Sequence, residues 1–199
     1  MINTIIFDLG GVLFTNGTKK LIDFIADEYF IEKEKIQKVM DGEIGKKYRE
    51  AKIERHVFWD HFLKELHIDA DSDTLEEQWV MGFELIEETR DIVQELSQKY
   101  SVYFLSDNVK TRVEKIHERY GFLDWFEGGI FSHEVGLKKP HPQLYKMILE
   151  KAGVSAEKAL FIDDKPECLL PAAELGMTTI LFESPDVLRQ NLENLGLLS

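Results

Sequence analysis

The sequence is short of cysteine, of positive charge and of long hydrophobic runs, and each shortage excludes a class of protein. Cys168 is the single cysteine, so no internal disulfide can staple the fold and a reducing, cytoplasmic setting is expected. Only 24 basic residues stand against 37 acidic ones, a formal net charge of −13. Nucleic acid and anionic membrane surfaces repel such a chain, so neither is expected as a partner. No apolar stretch approaches the roughly 18 residues of a membrane span. No basic n-region of a signal peptide precedes the first apolar run, and no repeat or low-complexity tract is visible. What is present, 44% hydrophobic and 31% charged residues over 199 positions, describes a soluble globular chain. It fits one medium domain, or a core with a smaller inserted one.

Two patterns of residues divide the chain. From about Ile86 onward, strand-like apolar runs alternate with amphipathic helical segments, the signature of βαβ units and a parallel sheet. The expected strands are 102–105, 129–131, 159–162 and 178–181, and the expected helices 89–99, 109–120, 142–152 and 167–175. Gly121, Gly153 and Gly176 close three of these helices, as glycine does in the left-handed position past a helix end. Ser155 is expected to cap the short turn at 156–158. Between Asp8 and Ile86 no strand pattern occurs. Segments 20–30, 33–41, 55–66 and 72–83 instead carry apolar residues at helical spacing, with Phe58, Trp59, Phe62, Leu63 and Leu66 as one stripe. The fold class is therefore α/β, with a helical insert after the first strand.

Chemistry-bearing residues gather where the strands end. The run Thr4-Ile5-Ile6-Phe7 stops at Asp8, followed by Leu9-Gly10-Gly11, and Ala159-Leu160-Phe161-Ile162 stops at Asp163-Asp164. After Tyr103-Phe104-Leu105 come Ser106-Asp107-Asn108, and Lys138-Lys139-Pro140-His141 precedes a helix. In an open α/β sheet the loops at the carboxyl ends of the strands converge on one crevice. A hydroxyl, a lysine and three carboxylates in one crevice form a metal-assisted phosphate site. Carboxylate oxygens suit Mg²⁺, and the ion offsets the charge of an incoming phosphate.

Taken in order, 7–13, 105–108, 136–145 and 161–164 form four motifs that resemble those of the haloacid dehalogenase (HAD) superfamily over the whole chain. The subgroup resembled carries a helical cap between its first and second motifs and includes glucose-1-phosphate phosphatase-like proteins. The resemblance implies a Rossmann-like HAD core with a parallel sheet, residues 1–15 and 86–199, and an inserted helical cap, residues 16–85. It implies a Mg²⁺-dependent phosphatase acting on a small phosphorylated metabolite such as a sugar phosphate, through an aspartyl-phosphate. Asp8 would be the nucleophile, and Lys139 would pair with it and with the phosphate. Ser106 and the backbone N–H of Asp107 would bind the phosphoryl group. Asp8, the Gly10 carbonyl, Asp163 and Asp164 would hold Mg²⁺, with Asp164 favoured as the direct ligand of the acidic pair.

One position departs from that pattern. Phosphatases of this superfamily usually carry a second aspartate two residues after the nucleophile, and here Gly10 occupies it. Two alternatives therefore stay open: a non-catalytic binding or assembly protein on the same fold, and a 2-haloacid dehalogenase, which needs no such acid. The intact Asp163-Asp164 pair speaks for Mg²⁺ and against the second. Other residues carry plainer expectations. Cys168 is a packed thiol, Trp59 with Phe58 and Phe62 is core, and His56, His61 and His67 lack the spacing of a zinc site. His141 starts a helix. Lys46, Lys47, Arg49 and Arg55 are the basic residues of the insert best placed to meet an anion, if they are not simply solvated. Glu84 to Glu88 reads as a solvated hinge.

Overall fold

A computed structural model describes residues 1–198. Five parallel strands form one sheet in the order β3-β2-β1-β4-β5. They are β1 (Thr4–Phe7), β2 (Ser101–Ser106), β3 (Gly128–Phe131), β4 (Ala159–Asp163) and β5 (Thr178–Leu181). β1 lies at the centre, and its four residues are all buried, as in a strand covered on both faces. Ile6, Leu105, Ile130 and Phe161 pack beneath α9 (Pro142–Ala152) and α10 (Pro166–Glu174), around Leu144, Tyr145, Ile148 and Ala172. On the opposite face Ile5, Phe7, Phe104 and Ile162 meet α6 (Glu87–Leu96), α7 (Lys110–Tyr120) and α11 (Pro185–Asn194).

The chain between β1 and α6 holds five helices: α1 (Gly17–Tyr29), α2 (Lys33–Asp41), α3 (Glu43–Arg49), α4 (Arg55–Leu66) and α5 (Ser72–Met81). Asn16 starts α1 by accepting the Lys19 N–H at 3.0 Å, and Asp71 starts α5 by accepting the Thr74 N–H at 2.9 Å. Phe58, Trp59, Phe62 and Trp79 are buried together, with Tyr48 stacked on Phe58 at a centroid distance of 4.6 Å. This aromatic core is continuous with the apolar face of the sheet that holds Phe7 and Phe104. A short helix, α8 (Ser132–Val135), follows β3.

Two details differ from the sequence-based expectation. Ser155 stands at the head of the 156–158 turn but makes no capping bond; its hydroxyl donates instead to Glu157 Oε1 at 2.8 Å. α3, α8 and α11 lie outside the expected helices; α3 carries Gly45 and α8 has only four residues, which leaves too little periodicity to read. His141 does cap α9, its Nδ1 accepting the Gln143 N–H at 3.2 Å. Among the described residues no helix is long and apolar enough to cross a membrane.

Candidate active site

Parallel register brings the two acidic strand ends together. Phe7 pairs with Phe104 on one side and with Ile162 on the other, so Asp8 and Asp163 leave the sheet side by side. The Asp8 N–H donates to the Ile162 carbonyl at 2.8 Å, which fixes its backbone. Lys139 reaches in from the loop before α9. Its Nζ lies 2.9 Å from Asp8 Oδ1 and 2.5 Å from Asp163 Oδ2, and all three residues are at most 5% exposed. Asp8 Oδ1 also accepts the Leu9 N–H at 2.7 Å. Ser106 is buried at the end of β2. Asp107 Oδ1 accepts the Lys139 backbone N–H at 3.0 Å, tying the second and third motifs to each other.

The acidic pair divides its work. Asp163 is fully buried with both carboxylate oxygens engaged, Oδ2 by Lys139 and Oδ1 by the Lys165 N–H at 2.9 Å. Asp164 Oδ1 is buried with no hydrogen-bond partner, an arrangement that is costly unless something else satisfies it. One ligand atom from each of Asp8, Asp163 and Asp164 lies within 4.8 Å of the others. Gly11 is what lets Asp164 in. At φ 96° it sits in the left-handed region, and a Cβ there would come within 2.3 Å of Asp164 Oδ2.

The electrostatics describe a site short of positive charge. Burial raises the carboxyl pKa of Asp8, Asp107, Asp163 and Asp164, and Lys139 only partly opposes it. Burial pulls the Lys139 ammonium the other way, but Asp163, Asp8 and Asp107 outweigh it and hold the lysine charged, well above its ordinary value. A divalent cation fits this donor set: oxygen ligands only, one orphaned carboxylate atom, and more acids than the lysine can balance.

A chamber of about 60 Å³ beside Asp8 is lined by Gly10, Ser106, Asp107, Lys139 and Lys165, room for a few water-sized groups. It shares Asn16, Thr18, Asp107, Lys139, Lys165 and Cys168 with a cavity of about 560 Å³ under α1 and α2. Of the insert's four basic candidates only Arg49 lines that cavity. Arg49 Nη2 donates to the Met40 carbonyl at 2.9 Å and lies 3.2 Å from Asp41. Arg55 turns away to Asp73, Lys47 pairs with Glu43, and Lys46 lines neither space. Cys168 borders both spaces, yet burial pushes its thiol up to about 12, so it is no nucleophile at neutral pH. Sequence reasoning missed Phe83, whose ring edge lies 3.2 Å from where a Cβ on Gly10 would sit.

The family model described as haloacid dehalogenase-like hydrolase matches residues 2–176. An enolase-phosphatase E1 of Aquifex aeolicus is 25% identical over 204 aligned positions, covering 90% of this chain and 89% of that one. A HAD family enzyme from Bacteroides thetaiotaomicron, solved in complex with magnesium and inorganic phosphate, shares the fold with a TM-score of 0.75 at 24% identity, over 92% of this chain and 95% of that one. A protein from Porphyromonas gingivalis, described as a predicted HAD-like family hydrolase, matches with a TM-score of 0.79 at 21% identity, over 98% of both chains.

Proposed function

The chain belongs to the haloacid dehalogenase-like hydrolase family, and from that premise we propose that it is a Mg²⁺-dependent phosphatase acting on a small phosphate ester, such as a sugar phosphate. The observation that carries this is the orphaned Asp164 Oδ1 beside Asp8 and Asp163. Asp8, Asp164 and the Gly10 carbonyl would hold the ion, with Asp163 orienting Lys139, and the ion would offset phosphoryl charge.

An oxygen of Asp8 attacks phosphorus and the ester P–O bond breaks, leaving an aspartyl-phosphate and the alcohol. Water then attacks phosphorus, releasing inorganic phosphate and restoring the carboxylate. Lys139, Ser106 Oγ and the Asp107 N–H hold the phosphoryl oxygens, so positioning and electrostatics supply most of the rate. Gly10 offers no carboxyl to protonate the departing oxygen, so that proton comes from water or the substrate. Losing a positioned acid costs typically 10²–10⁴-fold, and slow turnover is the expected consequence. Residues 16–85 act as a cap in this account. Their helices roof the larger cavity, and its volume of about 560 Å³ suits a metabolite and excludes a folded protein.

The occupation of Gly10's side-chain direction by Phe83 is the feature that favours the non-catalytic alternative. A panel of phosphate esters, hexose 1- and 6-phosphates included, assayed with Mg²⁺ and with chelator separates the readings. Metal-dependent phosphate release supports the phosphatase, halide release from 2-haloacids in chelator supports the dehalogenase, and silence in both supports the non-catalytic role.

A further inference from the structure

A buried charge pair joins the helical insert to the core, outside the residues assigned to the chemistry. Glu76 of α5 and Arg112 of α7 are 4% and 1% exposed, and Arg112 Nη2 donates to Glu76 Oε1 at 2.9 Å. Trp59 Nε1 donates to Glu76 Oε2 at 2.9 Å. The Arg112 guanidinium lies over the Trp79 ring, 3.5 Å from its centroid, while its Nε is buried with no partner. Buried ion pairs contribute little net stability against apolar replacements, and an unsatisfied donor lowers that further. Stability is therefore a poor reason for this pair. Registry is a better one.

Asn108 links the pair to the chemistry. It follows Ser106 and Asp107 directly, and its Oδ1 accepts Arg112 Nη1 at 3.1 Å and the Val109 N–H at 2.9 Å. The Asn108 N–H donates to Ser132 Oγ at 3.1 Å, and the Ser132 hydroxyl donates to the Arg49 carbonyl at the end of α3, at 2.7 Å. Two tethers thus run from the loop to the insert, one through Arg112 to Glu76 and one through Ser132 to Arg49.

We propose that Glu76 and Arg112 are positioning residues that hold the Ser106-Asp107-Asn108 loop in its phosphate-binding form when the insert is seated on the core. With the insert displaced, Arg112 loses its carboxylate and Ser132 loses the Arg49 carbonyl, so the two core residues that hold Asn108 are themselves no longer held in place. A seated insert and an ordered loop therefore form together, as in closures that assemble a site around substrate. The effect on rate rests on the phosphatase proposal; the effect on the loop does not.

The test compares Glu76→Gln, Arg112→Lys and their double variant with Trp59→Phe, a change in the same cluster that leaves the Glu76–Arg112–Asn108 chain intact. Each is read by kcat and KM below its melting temperature and by amide exchange at Asn108 and Val109. Glu76→Gln is expected to lower kcat on the order of ten- to a hundredfold, change KM far less and speed exchange at both amides. The double variant should be no worse than the poorer single one. Trp59→Phe should lower Tm and keep kcat and exchange. If Glu76→Gln also lowers only Tm, the proposal is overturned. If no ester is turned over by the unmodified protein, the amides alone decide: faster exchange upholds the tether while the phosphatase reading fails, and unchanged exchange overturns the tether.

Discussion

Lys139 carries one positive charge and faces Asp8 and Asp163 at hydrogen-bond distance, so removing it should be doubly damaging. Lys139→Met leaves buried carboxylates crowding one another, and uncompensated buried charge costs about 3–5 kcal/mol. The variant should lose phosphate release and show a clearly lower Tm, measured by calorimetry. Gly11→Ala tests the neighbouring contact. Its Cβ would strike Asp164 Oδ2 from a left-handed backbone, so Mg²⁺ affinity should fall about tenfold or more by analogy with disturbed ligand support. Titration calorimetry reads that directly, and unchanged affinity would count against Asp164 as a ligand. Asp8, Ser106, Asp163 and Asp164 were legible in the sequence as candidates because they stand where strands end, and Lys139 because it stands in a lysine-proline run just before a helix. Glu76, Arg112 and Phe83 were not. On separate helices and a linker, two charges read as solvated faces and one aromatic as ordinary core, and only packing reveals their partners.

At the level of elements, α5 and α7 meet through the Glu76–Arg112 pair, and this makes the seam sensitive to acid. Burial raises the Glu76 carboxyl pKa, but Arg112 and the Trp59 N–H, with Arg55 beyond them, outweigh it and hold the group below its ordinary value of 4.5. The folded chain therefore gives up this proton more readily than the unfolded one. The pair's contribution to stability is present above about pH 4.5 and is lost as pH falls through the folded value. Glu76→Gln should remove that part of the pH dependence of Tm and leave the profile at neutral pH and above without slope change. Long periodic elements such as α4 and α9 were visible in full from their spacing. α3 was not, because Gly45 interrupts seven residues and glycine weakens any helical signal. α11 is set by Ser184, whose hydroxyl oxygen accepts the Val187 N–H at 3.3 Å, a local cue that periodicity alone passes over.

Over the whole molecule, one continuous apolar cluster runs from the sheet through the insert, so the seated insert is held on the core by apolar packing as well as by the Glu76–Arg112 pair. The net charge of −13 works against an anionic substrate at long range, so under the proposed function the attraction would come from Lys139, Lys165 and a bound cation at the site itself. Mg²⁺ should therefore stabilise the protein as well as serve the chemistry. A ligand at about 100 times its Kd adds roughly 2.7 kcal/mol, visible as a rise in Tm. Asp164→Asn should abolish that rise, and a full rise in the variant would place the ion elsewhere.

The most direct measurement is acid-quench trapping of the enzyme during turnover of a phosphate ester, with peptide mapping of any phosphoryl adduct. The account predicts an adduct on the peptide carrying Asp8, formed with Mg²⁺ and absent with chelator or in Asp8→Asn. Phosphate release that persists in Asp8→Asn, or an adduct on another residue, would contradict it.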